Sequence, residues 1–216
     1  AIGVLNALYA FQKKKVSSHQ LAEDACKIEI DILGRPIGKQ DQYAVAYGGV
    51  NYIRFNPDES VSVRPIQLSE KIRNKLCSNL LMFNTGIDPK SSILLKEQKA
   101  KIKNNHEVLS GVVELSESLK NYLSNSNINY FGELLHKNWI FKKQFATKIT
   151  NGVIDNYYDK AVNVGASGGK ILGSGGGGFL LFYCNSNKVK SGVRDALKEL
   201  KELDFKFSPN GSKIVY

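Results

Sequence analysis

Apolar positions recur along the chain with two periods, and the switches between them mark out its elements. From Ala1 to Phe11, Val4, Leu5, Leu8 and Phe11 sit at helical spacing on one face. Lys13, Lys14 and Lys15 suit the end of that helix, where cations meet the negative end of its dipole. Ser17 or Ser18 can cap a second helix running to about Leu33, stopped by Gly34 and then Pro36. A loop, Ile37-Gly38-Lys39-Gln40-Asp41-Gln42-Tyr43, comes next. Strands are predicted near Val50 to Phe55 and from Ser60 to Ile66, with Asn56-Pro57-Asp58 as the turn. Leu80 to Phe83 is short and apolar enough for a buried strand, and Asn84-Thr85-Gly86 ends it. Helices follow over roughly Ser91 to Leu123, Tyr130 to Thr147 and Val153 to Val164. Strands around Ile171 and from Phe179 to Cys184 flank Gly173-Ser174-Gly175-Gly176-Gly177-Gly178. Lys188 to Leu203 is amphipathic, with Val189, Val193, Ala196, Leu197 and Leu200 on one face. Phe205 to Phe207 and Ile214 to Tyr216 read as a closing hairpin around Pro209-Asn210-Gly211. Strands interleaved with helices in this way predict an α+β fold with helices on one face of a sheet. The pattern changes near residue 75, so residues 1–75 and 76–216 are expected to form two domains.

Composition narrows the class without naming a function. Apolar residues make up 42% and charged residues 23% of the 216, which suits a globular chain with a sizeable core. Neither a run of eighteen apolar residues nor a basic-then-apolar opening occurs, so no membrane association and no secretory signal are expected. Cys26, Cys77 and Cys184 are odd in number, scattered and without a CxxC pair. They fit small core residues in a reducing cytoplasm better than a zinc site or a disulfide framework. The net charge of +10 raises nucleic acid as a partner. Yet 25 of the 30 basic residues are lysines spread along the chain, and no RNA-binding or zinc-finger signature accompanies them. A lysine-rich solvated surface, suited also to anionic phosphate substrates, is the better account, and no nucleic-acid partner is expected. The chain opens inside an apolar helix with nothing before Ala1 to cap it, so an upstream segment is expected to be missing.

Four features could carry chemistry. Gly173-x-Gly175-x-x-Gly178 formally matches a dinucleotide pattern, but a helix must follow the last glycine, and Phe179 to Cys184 reads as strand. Gly169-Lys170 and Gly38-Lys39 lack the Ser or Thr that a Walker loop requires next. Five glycines in six positions still carry a large ordering cost, leaving either a flexible hairpin tip or a close backbone approach to a phosphate or another loop. Glu29 falls near the middle of a stripe formed by Leu21, Ala22, Ala25, Cys26, Ile28, Ile32 and Leu33. A carboxylate there needs a partner, either an internal salt bridge or a metal ion. Asp41, near Lys39 and Tyr43, is either a solvated loop residue or a positioned general base that Lys39 keeps ionised. His136 beside Trp139 reads as a packing or surface residue more readily than a catalytic one.

Taken together, these segments resemble the GHMP kinases. Lys170-Ile171-Leu172-Gly173-Ser174-Gly175-Gly176-Gly177-Gly178-Phe179 is similar to that superfamily's third motif, a glycine loop between two strands. One branch, the D-glycero-D-manno-heptose 7-phosphate kinases, is resembled more closely. The matching segments are Gly38-Lys39-Gln40-Asp41-Gln42-Tyr43 with Tyr47-Gly48-Gly49, Phe131 to His136, Asn138-Trp139, Gly165 to Lys170, and Gly211 to Tyr216. The resemblance implies a two-lobed α+β fold whose C-terminal lobe is ferredoxin-like, with helices on one face of an antiparallel sheet. It also implies ATP and Mg2+ as cofactors and a small-molecule sugar phosphate as partner in the cytoplasm. By the same resemblance Asp41 is the catalytic base and Glu29 the magnesium ligand, while Gly173, Ser174, Gly175, Gly176 and Gly177 support the nucleotide phosphates. Lys39, Gln42, Tyr43, Thr85, Gly86 and His136 are implied on the substrate side. Two departures stand out. The superfamily's main nucleotide motif, which would lie just before Ala1, is absent, and Pro89-Lys90 stands where relatives often carry Arg-Ser. The alternatives are a GHMP kinase for an unphosphorylated hexose, a basic nucleic-acid-binding module, or a non-catalytic remnant.

Overall fold

A computed structural model describes residues 1–89, 91–101 and 105–215. They form two compact units, residues 1–67 with 207–216 and residues 68–206. Lys90, in the second departure noted above, and Tyr216 lie outside the described residues.

The first unit holds α1 (Ile2–Phe11), α2 (Ser18–Cys26), a π-helical turn (Lys27–Ile32), α3 (Gln40–Tyr47) and the antiparallel pair β1 (Asn51–Phe55) and β2 (Val61–Pro65). Ser17 caps α2, its hydroxyl accepting from the Gln20 amide at 3.1 Å. Ala22, Ala25 and Ala46 are small enough to let α2 and α3 pack closely, and with Leu21, Cys26 and Tyr43 they make the core. Three expectations change here. On α1 the buried residue is Ile2, with Leu5 and Tyr9 packed beside it, whereas Val4, Leu8 and Phe11 are exposed. The widened turn, with the Leu33 amide donating to the Ile28 carbonyl five residues back, rotates Ile32 and Leu33 off the apolar stripe and into solvent. Residues 40–43, expected as loop, open a helix instead.

Residues 207–215 form no hairpin; they lie along the end of α3 as irregular chain. The Gly49 amide donates to the Ser208 carbonyl at 2.8 Å and the Ser212 amide to the Val45 carbonyl at 3.0 Å. Two glycines permit this approach. A Cβ on Gly48 would lie 2.1 Å from the Asn210 carbonyl carbon, and one on Gly211 would lie 2.1 Å from the Ala46 oxygen.

The second unit holds α4 (Glu70–Ser78), β3 (Leu80–Asn84), α5 (Ser91–Lys101), α6 (His106–Ser124), α7 (Phe131–Lys143), α8 (Gly152–Asn163), β4 (Gly168–Ile171), β5 (Phe179–Tyr183), α9 (Asn187–Ala196) and β6 (Lys201–Glu202). The sheet order is β4-β5-β3-β6 with every neighbouring pair antiparallel. Two β-α-β units interlocked in this order are the ferredoxin-like arrangement. Alternation along the strands turns Leu81, Phe83, Leu180, Phe182 and Ile171 into one core with Trp139 of α7, Ile154 and Tyr158 of α8, and Val193 of α9. The long helix expected from Ser91 to Leu123 is two helices, with residues 102–104 outside the described set. The amphipathic helix expected over Lys188 to Leu203 ends at Ala196, because β6 extends the sheet beside β3. Among the described residues no helix is long and apolar enough to cross a membrane.

Candidate active site

In the first unit, Glu29 is the best-connected of the expected site residues. The π-helical turn carries it, and such turns recur at functional sites. Its carboxylate accepts from Arg35 Nη1 at 3.0 Å and from Gln42 Nε2 at 2.8 Å. The internal ion pair of the one reading is present, and the two carboxylate oxygens offer about four lone-pair sites in all. Gln42 is 5% exposed, and its own Oε1 is buried with no partner among the described residues. Among the described residues no group of three or more His, Cys, Asp or Glu side chains could hold a metal. A single carboxylate completed by phosphate oxygens and water is, however, how magnesium is often bound, and Glu29 fits that role.

Asp41 stands in the first turn of α3, exposed to solvent. A carboxylate there is favoured by the positive end of the helix dipole. Among the described residues its one side-chain hydrogen-bond partner is the Gln40 amide at 3.5 Å. Lys39 does not pair with it; the Lys39 ammonium is 3.7 Å from Glu59 instead. Tyr43 is packed edge-on against His19 and Phe55, at centroid distances of 5.6 and 6.2 Å, and burial pushes its hydroxyl up to about 12. Lys39, Gln40 and Tyr43 share the wall of a cleft of about 670 Å³ with Glu23, Lys27 and Asp31. Asp41, Gln42 and Glu29 are not part of that wall.

In the second unit the glycine loop joins β4 to β5, and it is no flexible tip. The carbonyls of Gly173, Ser174 and Gly178 are tied back by side chains from outside the loop. Lys142 Nζ donates to the Ile171 and Gly173 oxygens at 3.0 and 2.5 Å, and Gln98 Nε2 donates to the Ser174 oxygen at 3.2 Å. Thr85 donates to the Gly178 oxygen twice at 2.8 Å, once from its amide and once from its hydroxyl. The amides of Gly176 and Gly178 donate to Ile149 and Ile87. Glycine is needed where the surroundings press in: a Cβ on Gly177 would lie 2.3 Å from the Ile87 oxygen. Among the described residues the amides of Ser174, Gly175 and Gly177 have no acceptor in the chain. Successive free N–H groups on a loop whose carbonyls face away form an anion-binding concavity.

The structure therefore joins Thr85 to the glycine loop, Lys39 to Tyr43, and Glu29 to Gln42, while the Gly86 amide donates to Asn84 Oδ1 instead. His136 is elsewhere in the second unit. Its Nδ1 lies 2.6 Å from the Tyr158 hydroxyl, and its backbone packs against Gly168. Burial foremost pushes that Tyr158 hydroxyl up to about 12. Three contributors escaped sequence reading. Arg35 carries no local signal. Gln98 is an ordinary surface residue by pattern. Lys142 had one, since it continues the helical stripe of Leu135 and Trp139, and a lysine on a buried stripe needs a partner as much as a glutamate does.

The fold is that of the GHMP kinases, and residues 114–204 match the family described as GHMP kinases C terminal. Residues 114–204 are thus similar to a GHMP kinase C-terminal domain. It is 26% identical over 215 residues to the D-glycero-alpha-D-manno-heptose 7-phosphate kinase of Campylobacter jejuni, covering 98% of this chain and 63% of that protein. It is also 26% identical over 203 residues to the mevalonate kinase of Methanocaldococcus jannaschii, covering 94% and 60%. A crystal structure of a D-glycero-D-manno-heptose 1-phosphate kinase from Bacteroides thetaiotaomicron superimposes with a TM-score of 0.74 at 24% identity, covering 100% of this chain and 61% of that one. The chain spans less than two thirds of the length of these relatives.

Proposed function

We propose that this chain is the larger part of a cytoplasmic ATP-dependent sugar kinase. It transfers the γ-phosphoryl group to the anomeric hydroxyl of D-glycero-D-manno-heptose 7-phosphate. The observation that carries the kinase reading is the glycine loop, with the carbonyls of Gly173, Ser174 and Gly178 tied back and amides including those of Ser174 and Gly175 free for an anion. The likeness to the Campylobacter jejuni enzyme supports the choice of sugar. In this reading Asp41 takes the proton from the attacking hydroxyl, and its exposure leaves room for a substrate to approach. Glu29 holds magnesium while keeping Arg35 and Gln42. Lys39 and Tyr43 contact the acceptor from the cleft wall, and Gln42 offers its unpaired oxygen to a hydroxyl. Thr85 holds the far end of the glycine loop, and Gly86 follows it toward the substrate side. His136, bonded to Tyr158, contributes at most a second-rank contact. Phosphoryl transfer needs groups positioned and charge neutralised more than it needs covalent chemistry, and a base, a magnesium ligand and basic groups are the right kind of set for it.

Equal identity to a mevalonate kinase supports a second reading, a GHMP kinase with a different alcohol acceptor. Turnover of ATP with magnesium by the full-length protein, offered heptose 7-phosphate, mannose 6-phosphate, free hexoses and mevalonate, separates the two. Activity on heptose 7-phosphate that collapses in Asp41→Asn supports the first. Activity on another acceptor alone keeps the kinase and discards the sugar. Absence of turnover, with salt-sensitive nucleic-acid binding instead, discards the kinase.

A further inference from the structure

One half-buried group beside the glycine loop has no part in the roles above. Lys142, near the C-terminal end of α7, turns its ammonium to the carbonyls of Ile171 and Gly173. These residues are the last of β4 and the first of the loop. We propose that Lys142 is a positioning residue for the nucleotide donor. By holding both carbonyls it fixes the entry of the loop so that the Ser174 and Gly175 amides face the donor phosphates. The inference rests on the kinase reading.

Peptide geometry supplies the argument. A peptide is planar, and its C=O and N–H point in opposite directions. Holding the Gly173 oxygen on Lys142 therefore directs the Ser174 N–H to the other side of the loop. The preceding anchor works alike: the Ile171 oxygen is on Lys142, and the Leu172 amide donates to Phe179 at 2.8 Å. One ammonium thus links the last ladder pair to the first free peptide. Lysine suits this task because its three donors radiate from a single atom on a long stem.

The charge also bears on the donor. Burial first, and the nearby Lys170 second, hold the Lys142 pKa down to about 7. Charged groups on the packed elements are engaged elsewhere. Asp155 of α8 accepts from Thr150 and lies 3.8 Å from Lys143; Glu97 of α5 accepts from Lys101 and Thr147; Lys170 of β4 donates to Asn138. Among the described residues no carboxylate pairs with Lys142, so its protonated form adds positive potential behind an anion-binding loop.

The test compares Lys142→Met, which keeps the stem and loses the donors, with Lys142→Arg, which keeps charge and donors at every working pH. Both are made in the full-length protein, and MgATP affinity is measured by calorimetry and KM separately for ATP and acceptor. The Met variant is expected to bind MgATP about tenfold more weakly or worse, with the acceptor KM unchanged and the Arg variant largely restored. Wild-type affinity should fall relative to the Arg variant as pH rises through about 7, and the Arg profile subtracts the titration of ATP itself. Equal MgATP affinity in wild type and Met variant overturns the positioning role. If the Met variant does not fold, parallel wild-type and Arg pH profiles overturn it. Wild-type protein that binds no MgATP overturns the kinase reading instead.

Discussion

The glycine loop and the start of α3 are built on opposite plans. The loop is backbone chemistry under restraint: Lys142, Gln98 and Thr85 hold its carbonyls, and Ile87 and Ile149 take two of its amides. The start of α3 is side-chain chemistry left free. Asp41 is exposed, its one side-chain hydrogen bond among the described residues is at 3.5 Å, and the N-cap residue Lys39 makes no side-chain capping bond. An array of amides recognises a phosphate only when the backbone cannot turn away. A base must reach a hydroxyl and later release its proton, so it gains nothing from being locked. On the proposed reading, rigidity marks the binding of the donor, and access marks the activation of the acceptor.

Substitutions in the two regions should fail in different ways, and the largest effect is expected at Asp41. Asp41→Asn should lower kcat by about 10²–10⁴-fold with an unchanged melting temperature. A matching loss of stability would show that the carboxylate supports the helix rather than the chemistry. In the loop, Gly177→Ala drives a methyl into the Ile87 backbone and should cost about 1–3 kcal/mol of stability along with MgATP binding. Gly173→Ala meets no atom within 4 Å, and its strain is that of a positive φ alone, about 1–2 kcal/mol. Equilibrium denaturation ranks the pair, and a milder Gly177 variant would mean that the loop is looser than its contacts indicate.

A graded effect concerns Lys142. Its folded pKa of about 7 lies below the value of about 10.4 for an unfolded lysine. Between those values the unfolded chain binds more protons, so raising pH stabilises the fold. The stability of wild type relative to Lys142→Met should therefore rise from about pH 7 toward pH 10 and be lost as pH falls again, measured by urea unfolding at each pH. Smallest of all, Lys39→Ala breaks only an exposed pair at 3.7 Å and should change stability by less than about 1 kcal/mol. If it instead raises the KM of the sugar, Lys39 serves the cleft rather than the fold.

Much of this was legible from residue order, for physical reasons that differ by element. β1 to β5 were readable because short apolar runs are bounded by Gly, Asn and Pro, and the glycine loop because no other composition reads that way. α1 misled because it is apolar nearly all round, so periodicity could not choose between Ile2, Leu5, Tyr9 and Val4, Leu8, Phe11. α3 escaped because no capping side chain announces it. Glu29 was identified as a carboxylate in need of a partner, but Arg35 and Gln42 reach it across a turn whose widening no local pattern reveals. The restraints on the loop were harder still. Lys142 lies 31 residues from Gly173 and Gln98 lies 76 from Ser174, and such pairings are made by the sheet and its helices, not by spacing.

The close approach of Gly48 and Gly211 bears on the order in which the protein matures during synthesis. Residues 68–206 are continuous, so that unit can complete as soon as its last strand clears the ribosome. The other unit is interrupted, and its final ten residues are translated only after the whole of its neighbour. Those residues settle against the end of α3, the helix that begins with the Asp41 turn. A nascent chain therefore acquires its restrained glycine loop first, and the helix carrying the proposed base receives the support of residues 207–215 only after residues 68–206 have been made.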